Sequence, residues 1–254
     1  MDIMMDLKVV TIDFWGTLYH HRGTPEYRKR VITELLTKFL RTINYDDDLK
    51  VAQTFYEVTN KYVESRWESG VAPSREDVIN HSYEGYGNRI PKEILNRLLE
   101  EVYRMYTDEL HPTLTDKGEE TLKWLSSQAS LYIISDTFTI IGNVLDKILD
   151  NDGLIKYFKG RYYSDETGTK KAESDVMRRI AMIEGVAPNQ IVHVGDLLET
   201  DGALAMKEGT HCIIIGKKDL PQQEILLNPG DNPLFAFCEN FSNVKEAFND
   251  MVNR

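Results

Sequence analysis

Three short apolar runs, each ending on a polar residue, constrain this chain more than any other feature. Residues 7–12, Leu-Lys-Val-Val-Thr-Ile, stop at Asp13; residues 131–134, Leu-Tyr-Ile-Ile, stop at Ser135; and residues 191–194, Ile-Val-His-Val, stop at Gly195-Asp196. Each run is rich in β-branched residues and too short for a helix, so each reads as a buried strand of the parallel type. A fourth run, Cys-Ile-Ile-Ile at 212–215, follows, and Tyr162-Tyr163 is a weaker candidate. Helical patterns lie between them, over residues 117–127, from about 138 through Ile148, over 174–184 and over 203–207, with a last one at 244–251. Strands that alternate with helices predict an α/β fold, a mostly parallel sheet with helices on both faces.

One stretch breaks the alternation. From about residue 25 to 110 the apolar residues recur at three-four spacing: Val31, Leu35 and Phe39; Val51, Phe55, Val58 and Tyr62; Ile94, Leu98, Val102 and Met105. No strand pattern interrupts it, so the expectation is an all-helical insertion of about four helices. Asp46–Asp48 and Ser74 are candidate helix starts, and Pro91 suits a first turn. The expected division is residues 1–19 and 112–254 as one α/β core and 20–111 as a helical unit. Residues 217–233, with three prolines, are the expected loosest loop.

The chain has 254 residues and a formal net charge of −11, from 30 basic and 41 acidic side chains. That balance argues against a nucleic-acid or anionic-membrane surface, though not against a small anionic substrate in a locally positive site. No run approaches the ~18 apolar residues of a membrane span, and the first residues carry no basic region followed by an apolar stretch. The expected compartment is the cytoplasm. Cys212 and Cys238 have no metal-type or redox spacing, and Cys212 reads as a buried thiol.

In an open parallel sheet, ligands bind beyond the carboxyl ends of the strands. Asp13, Ser135 and Asp196 stand there. Asp13 and Asp196 repel each other if brought close, and a divalent cation resolves that repulsion; an all-oxygen ligand set suits magnesium. Glu199 and Asp201 lie a few residues further on as additional ligands, direct or through water. His193, inside a strand, reads as a satisfied core histidine rather than a base.

Asp13-Phe-Trp-Gly-Thr-Leu18 resembles the first motif of the haloacid dehalogenase-like (HAD) hydrolase superfamily. Ser135 resembles the second, Lys171 within Gly168-Thr-Lys-Lys-Ala the third, with Ala172 where a proline is common, and Gly195-Asp196-Leu-Leu-Glu-Thr-Asp201 the fourth. The order is right, and the resemblance covers residues 5–19 and 112–216. It implies a Rossmann-like core with a helical cap domain between the first two motifs. It further implies that Asp13 attacks the substrate to form a covalent aspartyl intermediate, and that magnesium sits on Asp13, Asp196, Asp201 and the backbone carbonyl of Trp15. Ser135 then donates a hydrogen bond to a substrate oxygen, and Lys171 offsets the negative charge. Gly16, Thr17, Asp136, Thr137 and His20 are the expected substrate contacts. Lys170 is the expected surface member of the lysine pair, and His20 and His21 lie near the expected mouth.

Trp15 is the departure that matters. Phosphatases of the superfamily resemble Asp-x-Asp here, the second aspartate being the general acid and base, whereas its dehalogenases carry an aromatic residue. Those dehalogenases replace the Gly-Asp of the fourth motif, which this chain keeps. The leading expectation is therefore a magnesium-dependent hydrolase of a small phosphorylated metabolite. The alternatives are a 2-haloacid dehalogenase, for which Arg22, Arg41 and Arg66 are candidate carboxylate holders, and a catalytically weak relative that binds a ligand or a partner protein. Substrate and oligomeric state are not legible.

Overall fold

The structure, a computed structural model, describes residues 6–87, 89–216 and 235–253. The first residues weighed above for a leader (1–5) and the Pro-rich stretch 217–233 lie outside the described residues.

Six parallel strands form the sheet: β1 (Val9–Ile12), β4 (Ser130–Ser135), β5 (Phe158–Tyr163), β6 (Ile191–Gly195), β7 (His211–Ile215) and β8 (Phe235–Cys238), in the order β5-β4-β1-β6-β7-β8. All four residues of β1 are buried, as a central strand covered on both faces demands. One face carries Val10, Ile12, Ile133, Val192 and Val194 against α5 (Gly118–Gln128), α6 (Gly142–Asn151) and α10 (Val244–Val252). The opposite face carries Val9, Tyr132, Ile134 and Ile191 against α8 (Val176–Glu184) and α9 (Ala203–Glu208). Two-residue alternation along each strand thus feeds two layers. The weak candidate Tyr162-Tyr163 is the end of the six-residue β5, and β8 is a strand additional to those that the sequence pattern predicts.

The helical insertion consists of α1 (Pro25–Thr42), α2 (Asp48–Glu68), α3 (Arg75–Gly85) and α4 (Lys92–Thr107). Local chemistry explains its boundaries. Thr24 caps α1 by accepting from Tyr27 N–H, with Pro25 in the first turn. Ser74 and Asp77 form a reciprocal capping box on α3. The acidic run is the start of α2, as expected, but without a side-chain cap: Asp47 is left-handed at φ 56°, and Asp48 pairs with Arg41. Leu36, Leu40, Phe55, Leu95 and Leu98 fill the interior between these helices. No strand lies within residues 30–87 or 89–105, among the described residues.

A two-stranded antiparallel ribbon, β2 (Tyr19–His20) with β3 (Thr113–Leu114), carries the chain into and out of this segment. Further contacts tie the helices to the sheet's loops. Thr139 Oγ1 donates to Asn60 Oδ1 at 3.0 Å, Trp67 packs on Phe138 with ring centroids 4.5 Å apart, and Val71 forms an antiparallel bridge to Thr169.

Leu98 is fully buried where α4 meets its neighbours. Leu98→Ala is expected to cost about 2–5 kcal/mol of stability, read as a lowered denaturation midpoint in urea.

Candidate active site

β1 lies between β4 and β6, and the chain builds outward from it in both directions. The crevice at that reversal receives the residues that end the three strands. Asp13, 3% exposed, stands at its centre. Ser135 Oγ donates to Asp13 Oδ1 at 3.0 Å, and Lys171 Nζ lies 2.9 Å from the same oxygen. Thr17 Oγ1 reaches the other oxygen, Oδ2, only at 3.5 Å. Oδ1 is therefore committed, and Oδ2 is lightly held.

Lys171 sits in a 3-10 turn (Lys171–Glu173) and is 5% exposed. Its Nζ is 2.7 Å from Asp201 Oδ1, and its backbone N–H donates to Asp136 Oδ1 at 2.7 Å. Burial pushes a lysine toward neutrality, but the charges of Asp13, Asp201 and Asp136 outweigh it and raise its pKa well above the ordinary value. Lys171 is a fixed cation. Its neighbour Lys170 turns the other way, with Nζ 5.0 Å from the centre of the Trp67 ring.

Asp196 approaches the loop after β1 because residue 16 is glycine. Gly16 has φ +79°, and a Cβ there would stand 2.1 Å from Asp196 Oδ2. Asp201 lies on a π-helical turn, Leu198–Gly202, and is fully buried. Its Oδ1 contacts Lys171 and accepts from His193 Nε2 at 2.7 Å; its Oδ2 accepts from Leu197 N–H at 3.0 Å. Gly195 permits this placement, since a Cβ there would meet Asp201 Cγ at 2.0 Å.

Asp13, Asp196 and Asp201 offer oxygens that all lie within 4.8 Å of one another. Their proton affinities diverge. Burial, with Asp201 and Asp196 nearby, raises Asp13 against the pull of Lys171. Burial and then Asp201 raise Asp196 to about 6. Asp201 pays the same desolvation, yet Lys171 and His193 hold it well below the carboxylate range. One ammonium does not neutralise three crowded carboxylates. An all-oxygen set with excess negative charge fits a hard divalent cation such as magnesium. Asp13 and Asp196 have carboxylate oxygens free to face a cation, whereas both oxygens of Asp201 already accept hydrogen bonds.

The remaining predicted contacts are dispersed. Asp136 is buried and turns Oδ1 to the Lys171 backbone, leaving Oδ2 without a partner; desolvation raises its pKa. Thr137 spends its N–H and hydroxyl on Ser164 and Asp165, which fixes the loop. His20 is exposed at the end of β2, and Glu199 is exposed on the π turn. Trp15 is half-buried in a turn closed by Gly16 N–H to Tyr19 O at 2.8 Å. Its ring stacks on His21 at 4.0 Å between centroids and meets Tyr106 of α4 edge-on at 6.5 Å. Of the arginines considered, Arg41 is paired with Asp48. Thr11 was not singled out from sequence, though a polar residue inside an apolar strand two positions before Asp13 is a readable signal. Its hydroxyl lies 2.7 Å from His193 Nδ1.

The family model for haloacid dehalogenase-like hydrolases matches residues 7–208. The chain belongs to this family. Solved structures agree on the fold. A 2-haloacid dehalogenase from Pseudomonas syringae pv. Tomato DC3000 superimposes with TM-score 0.65 at 18% identity, over 96% of this chain and 99% of that one. The HAD-hydrolase YfnB from Bacillus subtilis, bound to magnesium, gives 0.61 at 16% identity over 96% and 99%. A HAD phosphatase from Thermococcus onnurineus gives 0.56 at 17% over 95% and 98%. Comparison with curated protein sequences finds no match. The chain is thus a HAD-like hydrolase with an α/β Rossmann-like core, and no helix among its described residues is long and apolar enough to cross a membrane.

The raised carboxyls set a sign for pH. A group whose pKa is higher in the fold than in the unfolded chain favours folding below its unfolded value, and that contribution is lost as pH rises through the folded value. With a chelator present, the HAD-like protein is expected to lose thermal stability as pH rises through about 6, where Asp196 ionises. Asp196→Asn should reduce that loss, leaving the part that Asp13 contributes. Magnesium should raise the melting temperature above pH 6 and do little about one unit below it, where protons occupy the ligands.

Proposed function

We propose that this HAD-like hydrolase is a magnesium-dependent phosphohydrolase acting on a small phosphorylated metabolite through a covalent intermediate on Asp13. The observation that carries the reading is the convergence of Ser135 Oγ and Lys171 Nζ on one oxygen of Asp13, with Asp196 across Gly16. Asp13, Asp196 and the Trp15 carbonyl would hold the ion, with Asp201 beside them; when bound, it neutralises and orients the transferring group.

The chain's own residues supply the rest. Asp13 attacks phosphorus through a carboxylate oxygen, and the P–O bond to the leaving group breaks. Lys171 and Ser135 stabilise charge on the transferring oxygens. Water then attacks the aspartyl phosphate, releasing phosphate and restoring Asp13. The segment α1–α4 acts as a cap, residues 20–111, that closes on the core through the Asn60–Thr139 and Trp67–Phe138 contacts and excludes water.

No acid stands at position 15. The nearby His21 does not replace it as a proton donor at neutral pH: desolvation against its neighbours, then Arg28 and His20, hold its imidazole below the ordinary range, at about 4. The leaving group therefore departs largely unprotonated. The expected substrates are aryl or acyl phosphates rather than alkyl phosphates. Trp15, walled by His21 and Tyr106, is also the feature that favours a haloacid substrate, which makes 2-haloacids the necessary comparison in any screen.

Asp13→Asn is expected to abolish turnover of every substrate while leaving the circular dichroism spectrum unchanged; activity in that variant would place the chemistry elsewhere. A leaving-group series extends the test. Wild type should depend steeply on leaving-group pKa, and Trp15→Asp should recover alkyl phosphatase activity, within the ~10²–10⁴-fold that general acid catalysis supplies. A flat dependence in the wild type with chemistry rate-limiting would mean that another acid acts. Turnover of 2-haloacids without magnesium, and of no phosphate with it, would replace this reading by the dehalogenase one.

A further inference from the structure

Thr11 and His193 face each other in register across β1 and β6, on the sheet face that packs with Val9 and Ile191 under α8. His193 is fully buried. Its Nδ1 lies 2.7 Å from Thr11 Oγ1 and its Nε2 lies 2.7 Å from Asp201 Oδ1. The same Asp201 oxygen is 2.7 Å from Lys171 Nζ, which in turn is 2.9 Å from Asp13 Oδ1. A continuous polar chain thus runs from the middle of two apolar strands to the end of β1.

We propose that His193 is a positioning residue: its Nε2–H, oriented by Thr11, sets Asp201 and through it holds Lys171 against Asp13. The proposal rests on the reading of Asp13 as nucleophile. A polar pair in an apolar layer costs free energy unless both members are hydrogen-bonded, and a leucine would fill the same space at lower cost. What imidazole adds is a donor to Asp201. Sharing Asp201 Oδ1 between two donors limits its hold on Lys171, so the ammonium stays divided between Asp201 and Asp13 rather than collapsing onto the more acidic carboxylate. The π turn brings Asp201 down to this donor, and Gly195 clears its path. Groups that orient the partners of a reacting or ligating side chain typically change activity ~10–100-fold when removed.

Two measurements decide it. The first is the ¹⁵N resonances of the His193 imidazole in the intact wild type, Asp13→Asn and Lys171→Met. A protonated Nε2 is expected, with its resonance displaced in both variants; an Nε2 without a proton, or a resonance indifferent to both changes, overturns the proposal. The second is steady-state kinetics on an aryl phosphate. His193→Leu should lower kcat ~10–100-fold with KM within about threefold. His193→Gln, whose amide can present an N–H toward Asp201, should recover most of that loss. An unchanged kcat in folded His193→Leu, or equal losses in both variants, overturns it. The first measurement needs no turnover, so a protein that hydrolyses no phosphate would refute the phosphohydrolase reading while the imidazole resonances still decide the role of His193.

Discussion

A single buried ammonium holds this site together. Lys171 touches Asp13 and Asp201 with its side chain and Asp136 with its backbone, and all four residues are buried. Removing one partner from a buried pair leaves an uncompensated charge and typically costs about 3–5 kcal/mol. The strand ends, the 3-10 turn and the π turn are arranged around that requirement. Ser135 takes the geometry left on Asp13 Oδ1, and His193 and the Leu197 amide complete Asp201. The arrangement leaves Asp196 and one oxygen of Asp13 without a cation of their own, and that residue of negative charge is what a divalent metal would answer.

Much of this was legible in the chain because the central strands are short, apolar and stopped by polar residues. β1, β4, β6 and β7 announce themselves, and so do the three-four repeats of α1, α2 and α4. Other elements escaped for physical reasons. β5 lies at the sheet edge and carries Lys159, Gly160 and Arg161 in its middle, so its pattern is not that of a buried strand. β8 is short, and its β-propensity signal follows a Pro-rich stretch. The lysine pair was separable only by register from Gly168; space separates the two completely, one facing carboxylates and the other an indole. The π turn had no sequence signature, yet it decides where Asp201 points. Nor does the sequence show that Asp136 and Thr137 also secure the loop, through the Lys171 backbone and Ser164.

Trp15 joins the sheet to the helical insertion. Its indole lies flat on His21 and edge-on to Tyr106, so the loop after β1, the residue that follows β2 and α4 meet in one aromatic cluster. Aromatic contacts of this geometry contribute about 0.5–1.5 kcal/mol each. The position that carries an acid in the family's phosphatases here contributes packing between sheet and helices. Chemistry that needs proton transfer at that point must find it elsewhere.

The β2–β3 ribbon has an architectural consequence. The four helices leave the sheet's loops at Tyr19–His20 and return at Thr113–Leu114, and these two pairs of residues are hydrogen-bonded side by side. Entry and exit are one place. The strand order of the sheet is therefore indifferent to the length and content of what hangs from that ribbon, as a handle is indifferent to the tool fitted on it. Within such a layout the sheet can keep a fixed set of charges while the attached helices are lengthened, exchanged or resurfaced, and each change would alter which molecules meet those charges without moving the charges themselves.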